Sequence, residues 1–574
     1  MGMNLVNTAA PLAVLATAEQ KLSAVPQPVR SEAETLDYAV LPPLADVVEK
    51  LVFARAYATS YGGNETVATM VEGDTHEINH MQNGTAITMS GGSQNIGNGG
   101  TGTVSTMSGG VQKIYPHGTG TISTMSGGNQ YIQDDAIGTV DTMMRGTQGI
   151  ASGGTGTVST MSAGYQRIVS GGIGTISTML EGIQDISSGG TGTVSAMISG
   201  RQNIEDNGTI GIVITMSDDG QQTINFGGTG TVSTMNGGVQ VLDRGGTGTV
   251  DVMNSGVQGI DKGTGTVNTM NNGSQIVRAG GNGIVGTMEG GSQTISSGGN
   301  GTVVTMNSGW QNIDYGGTGT INTMSGGQQT VKSGGAGTVV TMNSGHQNIL
   351  VGGTGMISTM SGGTQTVSNM GTGIVSTLNG EQRISSGGMG IVSTLSGGLQ
   401  DIDYGGTGTV DVIEDGGLQI ISSGGTGTVS TMLDGRQIMI DGMGTIDTMS
   451  GGKQSISGGT GMIDTMFGGT QVMSSGGTGT INTMNSGLQW LFSGGTGTID
   501  VMHDGLQDIR SGGTGTIDTM NAGSQFIASG GTGTVDIMSG GSQTIVSGAS
   551  GTINTMHDGM QAISSGCTGT VLSL

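Results

Sequence analysis

A glutamine returns at steps of about 18 residues through most of this chain, and a strict period of that size marks a solenoid in which each repeat is one coil. Gln94, Gln112, Gln130, Gln148, Gln166, Gln184 and Gln202 begin the series; Gln507, Gln525, Gln543 and Gln561 end it. Roughly 27 consecutive copies keep the phase, with steps of about 17 to 20 residues. A polar side chain held at one phase of every coil implies a continuous internal ladder.

A clean coil is Thr155-Gly-Thr-Val-Ser-Thr-Met161-Ser-Ala-Gly-Tyr-Gln166-Arg-Ile168-Val-Ser-Gly-Gly172. It reads as two strands, Thr155 to Met161 and Tyr165 to Val169, separated by small turn residues. Alternation fixes the faces. Gln166 and Ile168 share one face and Tyr165 and Arg167 the other. The Tyr165 column elsewhere holds Val111, Arg201, Trp310, His346 and Lys453, so it varies and faces water. Gln and Ile therefore point inward, as does Val158, while Thr155, Thr157 and Ser159 point out. Met161 breaks alternation with Val158, which predicts a bend near Thr160. A buried Gln amide is costly unless bonded. Stacked at about 4.8 Å, each amide can donate to one neighbour and accept from the other. The expectation is an all-β, right-handed parallel β-solenoid of about 28 coils, roughly 135 Å long.

Composition agrees. Glycine supplies 120 of 574 residues, aromatics only 3% and charged residues 10%. Ordinary cores need more bulk, and six prolines are too few for a disordered linker. The net charge of −24 excludes nucleic acid and anionic membranes as partners. A single cysteine, Cys567, rules out an internal disulfide framework; it stands at a turn position that is usually Gly. No stretch is long and apolar enough to span a bilayer.

Residues 1–62 hold five of the six prolines and little glycine. Leu44, Val47, Val48, Leu51 and Val52 fall at helical spacing after Pro42-Pro43, so a short α-helical N-terminal segment is expected, a cap or attachment element rather than a separate binding module. The apolar run Ala9 to Ala18 resembles a signal-peptide core but lacks a basic flank. Residues 63–574 are the repeats.

The run Gly-Gly-Thr-Gly-Thr-Val-Ser-Thr-Met-Ser-Gly-Gly-x-Gln-x-Ile resembles the AIDA-type repeat of bacterial autotransporter adhesins, in nearly every coil. That resemblance implies a β-helical passenger displayed on the cell surface or secreted, acting in self-association, biofilm formation or host adhesion. Its implied partners are the protein itself or glycans and proteins of a cell surface, with no cofactor. Three departures qualify it. Met107, Met125 and Met161 stand where many family repeats carry Ile or Val. No β-barrel translocator follows, and the N-terminus lacks the long signal of classical members, so a fragment, another export route or another role for the rod stays open.

Other motifs carry competing chemistry. His76-Glu77-Ile78-Asn79-His80 matches HExxH, which needs both histidines on one helical face; here His76 occupies the Gln phase and Ile78 the Ile phase, so a degenerate first coil is expected. The Gly-Gly-Thr-Gly-Thr-Val run differs from calcium-binding nonapeptides, having Val104, Ile122 or Val158 where a ligating Asp belongs. An outward acidic column, Asp500, Asp518 and Asp536, with Asp447 and Asp464 before it, is a weak cation candidate against ordinary solvated carboxylates. Thr101/Thr103 and Thr155/Thr157 form Thr-x-Thr columns like those of ice-binding solenoids, or simple Thr ladders. No nucleophile–base set, paired-carboxylate site or phosphate loop stands out, so no enzyme is expected. The best reading is a structural and adhesive rod acting through repeated Thr/Ser/Asn faces. A rigid spacer or filament subunit is the alternative, with an ice-binding rod and a carbohydrate-active enzyme behind it. If the rod discriminates, the column of Tyr165, Trp310 and His346 is where it does so, although scarce aromatics argue against extensive sugar stacking.

Overall fold

The computed structural model describes residues 59–422 and 424–574. The helical segment expected near Leu44–Val52 lies outside them. The described chain is all strand and turn: 58 strands, the first being Ser60–Tyr61. They form two parallel ladders of 29, each coil giving one strand to either. Thr155–Met161 pairs with Ile137–Met143 before it and Ile173–Met179 after it; Tyr165–Ile168 pairs with Thr147–Ile150 and Ile183–Ile186. Neither ladder closes on itself, since the last strand of each pairs only with the strand one coil before it: Met560–Ile563 with Ser542–Ile545 and Thr568–Ser573 with Ser550–Met556. The β-solenoid expected from the period is therefore present.

Faces follow the predicted alternation. Val158, Met161, Gln166 and Ile168 are all fully buried, and their columns run the length of the solenoid. The bend also appears. Val158 and Thr160 pair across the ladder at one register but Ser159 between them does not pair, and the same gap recurs in neighbouring coils. Two outward residues thus separate the inward Val158 from the inward Met161. The unbranched Met reaches back to fill this corner.

Gln166 shows how the ladder works. Its Nε2 donates to Gln148 Oε1 at 2.7 Å, and also reaches the carbonyl oxygens of Gly156 at 3.3 Å and Thr175 at 3.4 Å on the facing strands. One amide thus ties its rung to the rung before it and its sheet to the opposite sheet. From Gln94 to Gln561 every consecutive pair is joined in this sense, at 2.6–2.8 Å. Gln222 bonds Gln202 across 20 residues and Gln275 bonds Gln258 across 17, at 2.6 and 2.7 Å. Length changes are absorbed by the turns and never reach the core.

The glycine of Thr-Gly-Thr is the inward column that strand patterning alone did not reveal. Gly319 is buried opposite Gln311 and Ile313. A Cβ there would stand 2.8 Å from Ile313 Cγ1 and 2.9 Å from Gln311 Oε1. Absence of a side chain on one sheet makes room for the amide of the other.

Two predictions follow from this core. Gln166→Leu orphans the Gln148 acceptor and removes the acceptor of Gln184, a cost of about 2–4 kcal/mol. The triple change Gln148→Leu, Gln166→Leu, Gln184→Leu also leaves one orphan at each end of the gap. Denaturant midpoints should therefore fall by similar amounts, not threefold more for the triple variant. Gly319→Ala should lower the unfolding free energy by about 1–3 kcal/mol through overpacking, with hydrogen exchange accelerating first around residues 311–337.

Candidate recognition surface

The outward face of the short strands carries the variable column. Tyr165 is 49% exposed and Trp310 54%; His346 is also exposed. Trp310 and His346 share one column with Gln328 between them, two rungs apart. Tyr165 lies many coils earlier, so the three do not converge. Tyr165 instead lines a surface cavity of about 490 Å³ with Arg167, Asp185, Asn203 and Glu205. Asn203 Nδ2 donates to Asp185 Oδ1 at 2.6 Å, fixing the polar floor across two rungs.

The largest aromatic gathering lies elsewhere, and single-column reading missed it. Trp490, Asp508 and Phe526 occupy successive rungs of one column. Phe492 and Arg510 flank them two residues on. The Trp490 and Phe492 rings meet edge-on, centroids 6.2 Å apart. Arg510 clamps Asp508 through two bonds of 2.8 and 2.9 Å and lies 5.6 Å from the Phe526 centroid. Asp508 is only 4% exposed. Trp490, Phe492, Asp508 and Arg510 line a small cavity of about 130 Å³. The local signal in the sequence is Gln489-Trp490-Leu491-Phe492, an exposed Trp near the end of the strand Leu488–Leu491 and a Phe just past it.

The acidic column stands one carboxylate per rung. Asn482 Nδ2 donates to Asp464 Oδ1 at 2.8 Å and Asn554 Nδ2 to Asp536 Oδ1 at 2.7 Å, so amides bracket the run. Partial desolvation raises the Asp518 carboxyl above its usual range, and repulsion from Asp500 and Asp536 adds to the shift. Among the described residues no group of three or more His, Cys, Asp or Glu side chains converges as a metal site would require. Cys567 Sγ accepts the Gly548 N–H at 3.3 Å.

His76 heads the glutamine ladder, as its phase foretold: it pairs with Gln94, and Ile78 with Ile96. Its ring is fully buried. Nε2 lies 3.0 Å from the Gly62 carbonyl oxygen and Nδ1 3.4 Å from Gln94 Nε2. A ring that donates from Nε2 and accepts at Nδ1 is neutral. Burial, the largest influence, lowers its pKa below the usual histidine range. His80 instead sits in the exposed turn, its Nδ1 3.0 Å from the Asn98 carbonyl oxygen. In the same coil Asp74 accepts the Val71 and Thr59 N–H groups, both at 2.9 Å, which lowers its carboxyl.

No family model and no curated protein sequence matches the chain. Among solved structures, it is similar to a crystal structure described as a TibC-catalysed, hyper-glycosylated TibA fragment. The identity is 20%, the TM-score 0.21, and the match covers 63% of this chain and 96% of that one.

The titrating groups give two expectations. His76 and Asp74 both have folded pKa values below their unfolded ones. Their stabilisation is full above the unfolded pKa and is lost as pH falls through the folded value. Exchange protection of residues 66–96 should therefore drop below about pH 6.5, and His76→Gln should remove that step while leaving the deeper acid loss from Asp74. Asp518 has the opposite sign: its favourable contribution exists at low pH and disappears as pH rises through its raised folded pKa. Asp518→Asn should accordingly raise the melting temperature slightly at neutral pH, by less with added salt and not at all below about pH 3.9. If the column bound divalent cations, millimolar calcium would stabilise the parent chain more than this variant; equal curves are expected.

Proposed function

We propose that this protein is an adhesive rod of the cell surface or secreted space, acting by self-association and by contact with surface glycans or proteins, without enzymatic activity. The observation that carries this reading is the unbroken buried amide ladder. It locks the rungs at a constant spacing of about 4.8 Å, so an outward column that keeps one residue type, such as the Thr157 column, becomes a repeated array of one chemistry. Asn254 donates to Asn236 at 2.9 Å and Asn271 to Asn254 at 2.7 Å; Thr445 bonds Thr428 at 3.2 Å. Such arrays bind weakly per rung and strongly in sum. The likeness of the repeat to AIDA-type passengers supports the same reading.

Full-length protein coupled to beads tests it. Clustering should rise with surface density and should fall when soluble protein competes. Beads that stay dispersed, together with a single sedimenting monomer at high concentration and no binding to cells, would instead identify a passive spacer.

A further inference from the structure

We propose that Trp490, Phe492, Asp508 and Arg510 form a binding site for a single neutral pyranose unit. The proposal deepens the adhesive reading and rests on it for the source of the sugar. The chain has two Trp and five Phe residues in all. One Trp and two Phe fall within three successive rungs here, around one ion pair whose Asp508 carboxylate is buried and whose Arg510 side chain is exposed. Trp490 is nevertheless 40% exposed, so the ring is not spent on packing.

The geometry fits a ring of that kind. Trp490 and Phe526 are two rungs apart, about 9.6 Å along the column. Arg510 lies over Phe526 and takes up part of that gap. What remains between the Trp490–Phe492 wall and Asp508–Arg510 is the cavity of about 130 Å³, the size of one small ring, with Phe526 behind Arg510. An aromatic face takes the C–H face of a ring, while polar groups at the rim fix orientation. Asp508 uses two of the five guanidinium donors and leaves three for hydroxyl or ring oxygens. The carboxylate keeps lone pairs for hydroxyl donors. A pyranose presents one apolar face and a rim of groups that both donate and accept. Because Asp508 already neutralises Arg510, and the chain carries −24, an acidic sugar has no net attraction to this site.

The chain offers a convenient reporter. In a Trp310→Phe background Trp490 is the sole Trp, so emission reads this site alone. The full chain would be titrated with the methyl pyranosides of glucose, galactose, mannose and N-acetylglucosamine, with glucuronate and indole as comparison probes, and calorimetry would repeat the titrations. At least one neutral methyl pyranoside should give a saturable change. Calorimetric binding should vanish in Trp490→Ala and weaken at least about tenfold in Arg510→Lys, which loses the bidentate clamp, with circular dichroism unchanged. Three results would overturn the site: no saturable response to any neutral pyranoside, a response to glucuronate or indole only, or binding that survives Trp490→Ala. Bead clustering measured on Trp490→Ala separates the two claims. Clustering that persists without sugar binding leaves the adhesive rod standing, and sugar binding without clustering leaves the site standing.

Discussion

Everything in this solenoid depends on a hydrogen bond between two glutamine side chains. A buried amide with no partner would cost several kilocalories per mole, and this core holds one in nearly every coil. Each is tolerated only because the coil before supplies an acceptor and the coil after supplies a donor. The ladder makes register obligatory: a coil that slipped by one residue would turn Gln166 to solvent and Tyr165 or Arg167 to the core. Apolar columns of Met, Val and Ile supply the burial, but they would pack nearly as well in more than one alignment. The amide admits one alignment. Its further bonds to Gly and Thr carbonyls then hold two thin sheets face to face at a distance only an inward glycine allows.

Much of this was legible in the residues because the pattern repeats. A single buried Gln could not be predicted from one coil; a column of them could, since the Tyr165 position varied while Gln166 did not. The bend before Met161 followed from one broken alternation. Gly156 and Gly319 were harder. A glycine between two threonines reads as a flexible or turn residue, and nothing local says that it lies opposite an amide from the other sheet. His76 was placed by phase alone, against a motif that named it a metal ligand, and its buried, neutral, ladder-capping geometry agrees with phase. The Trp490 cluster escaped because its members sit 18 residues apart in pairs and meet only through register.

The surface divides into two kinds of chemistry. Many outward positions of the long strands are short and polar, and at scattered places Asn, Ser or Thr bonds its neighbour on the next rung. Against that background the grooves at Tyr165 and Trp490 are local departures, each made by bulky or charged residues on adjacent rungs. Short polar positions that recur suit contacts that add up along the length, whereas the departures suit a ligand held at one place. A solenoid can carry both because each rung is stabilised by its neighbours and not by what it displays.

The ladder also has a direction. Every amide nitrogen points to the rung before it and every amide oxygen to the rung after it, so the two ends of the series differ in chemistry. A coil joining on the C-terminal side of a folded stretch meets a waiting oxygen and brings its own donor. Synthesis from the ribosome runs the same way, so each newly finished coil finds its acceptor already in place, and growth of the structure can follow emergence of the chain one turn at a time.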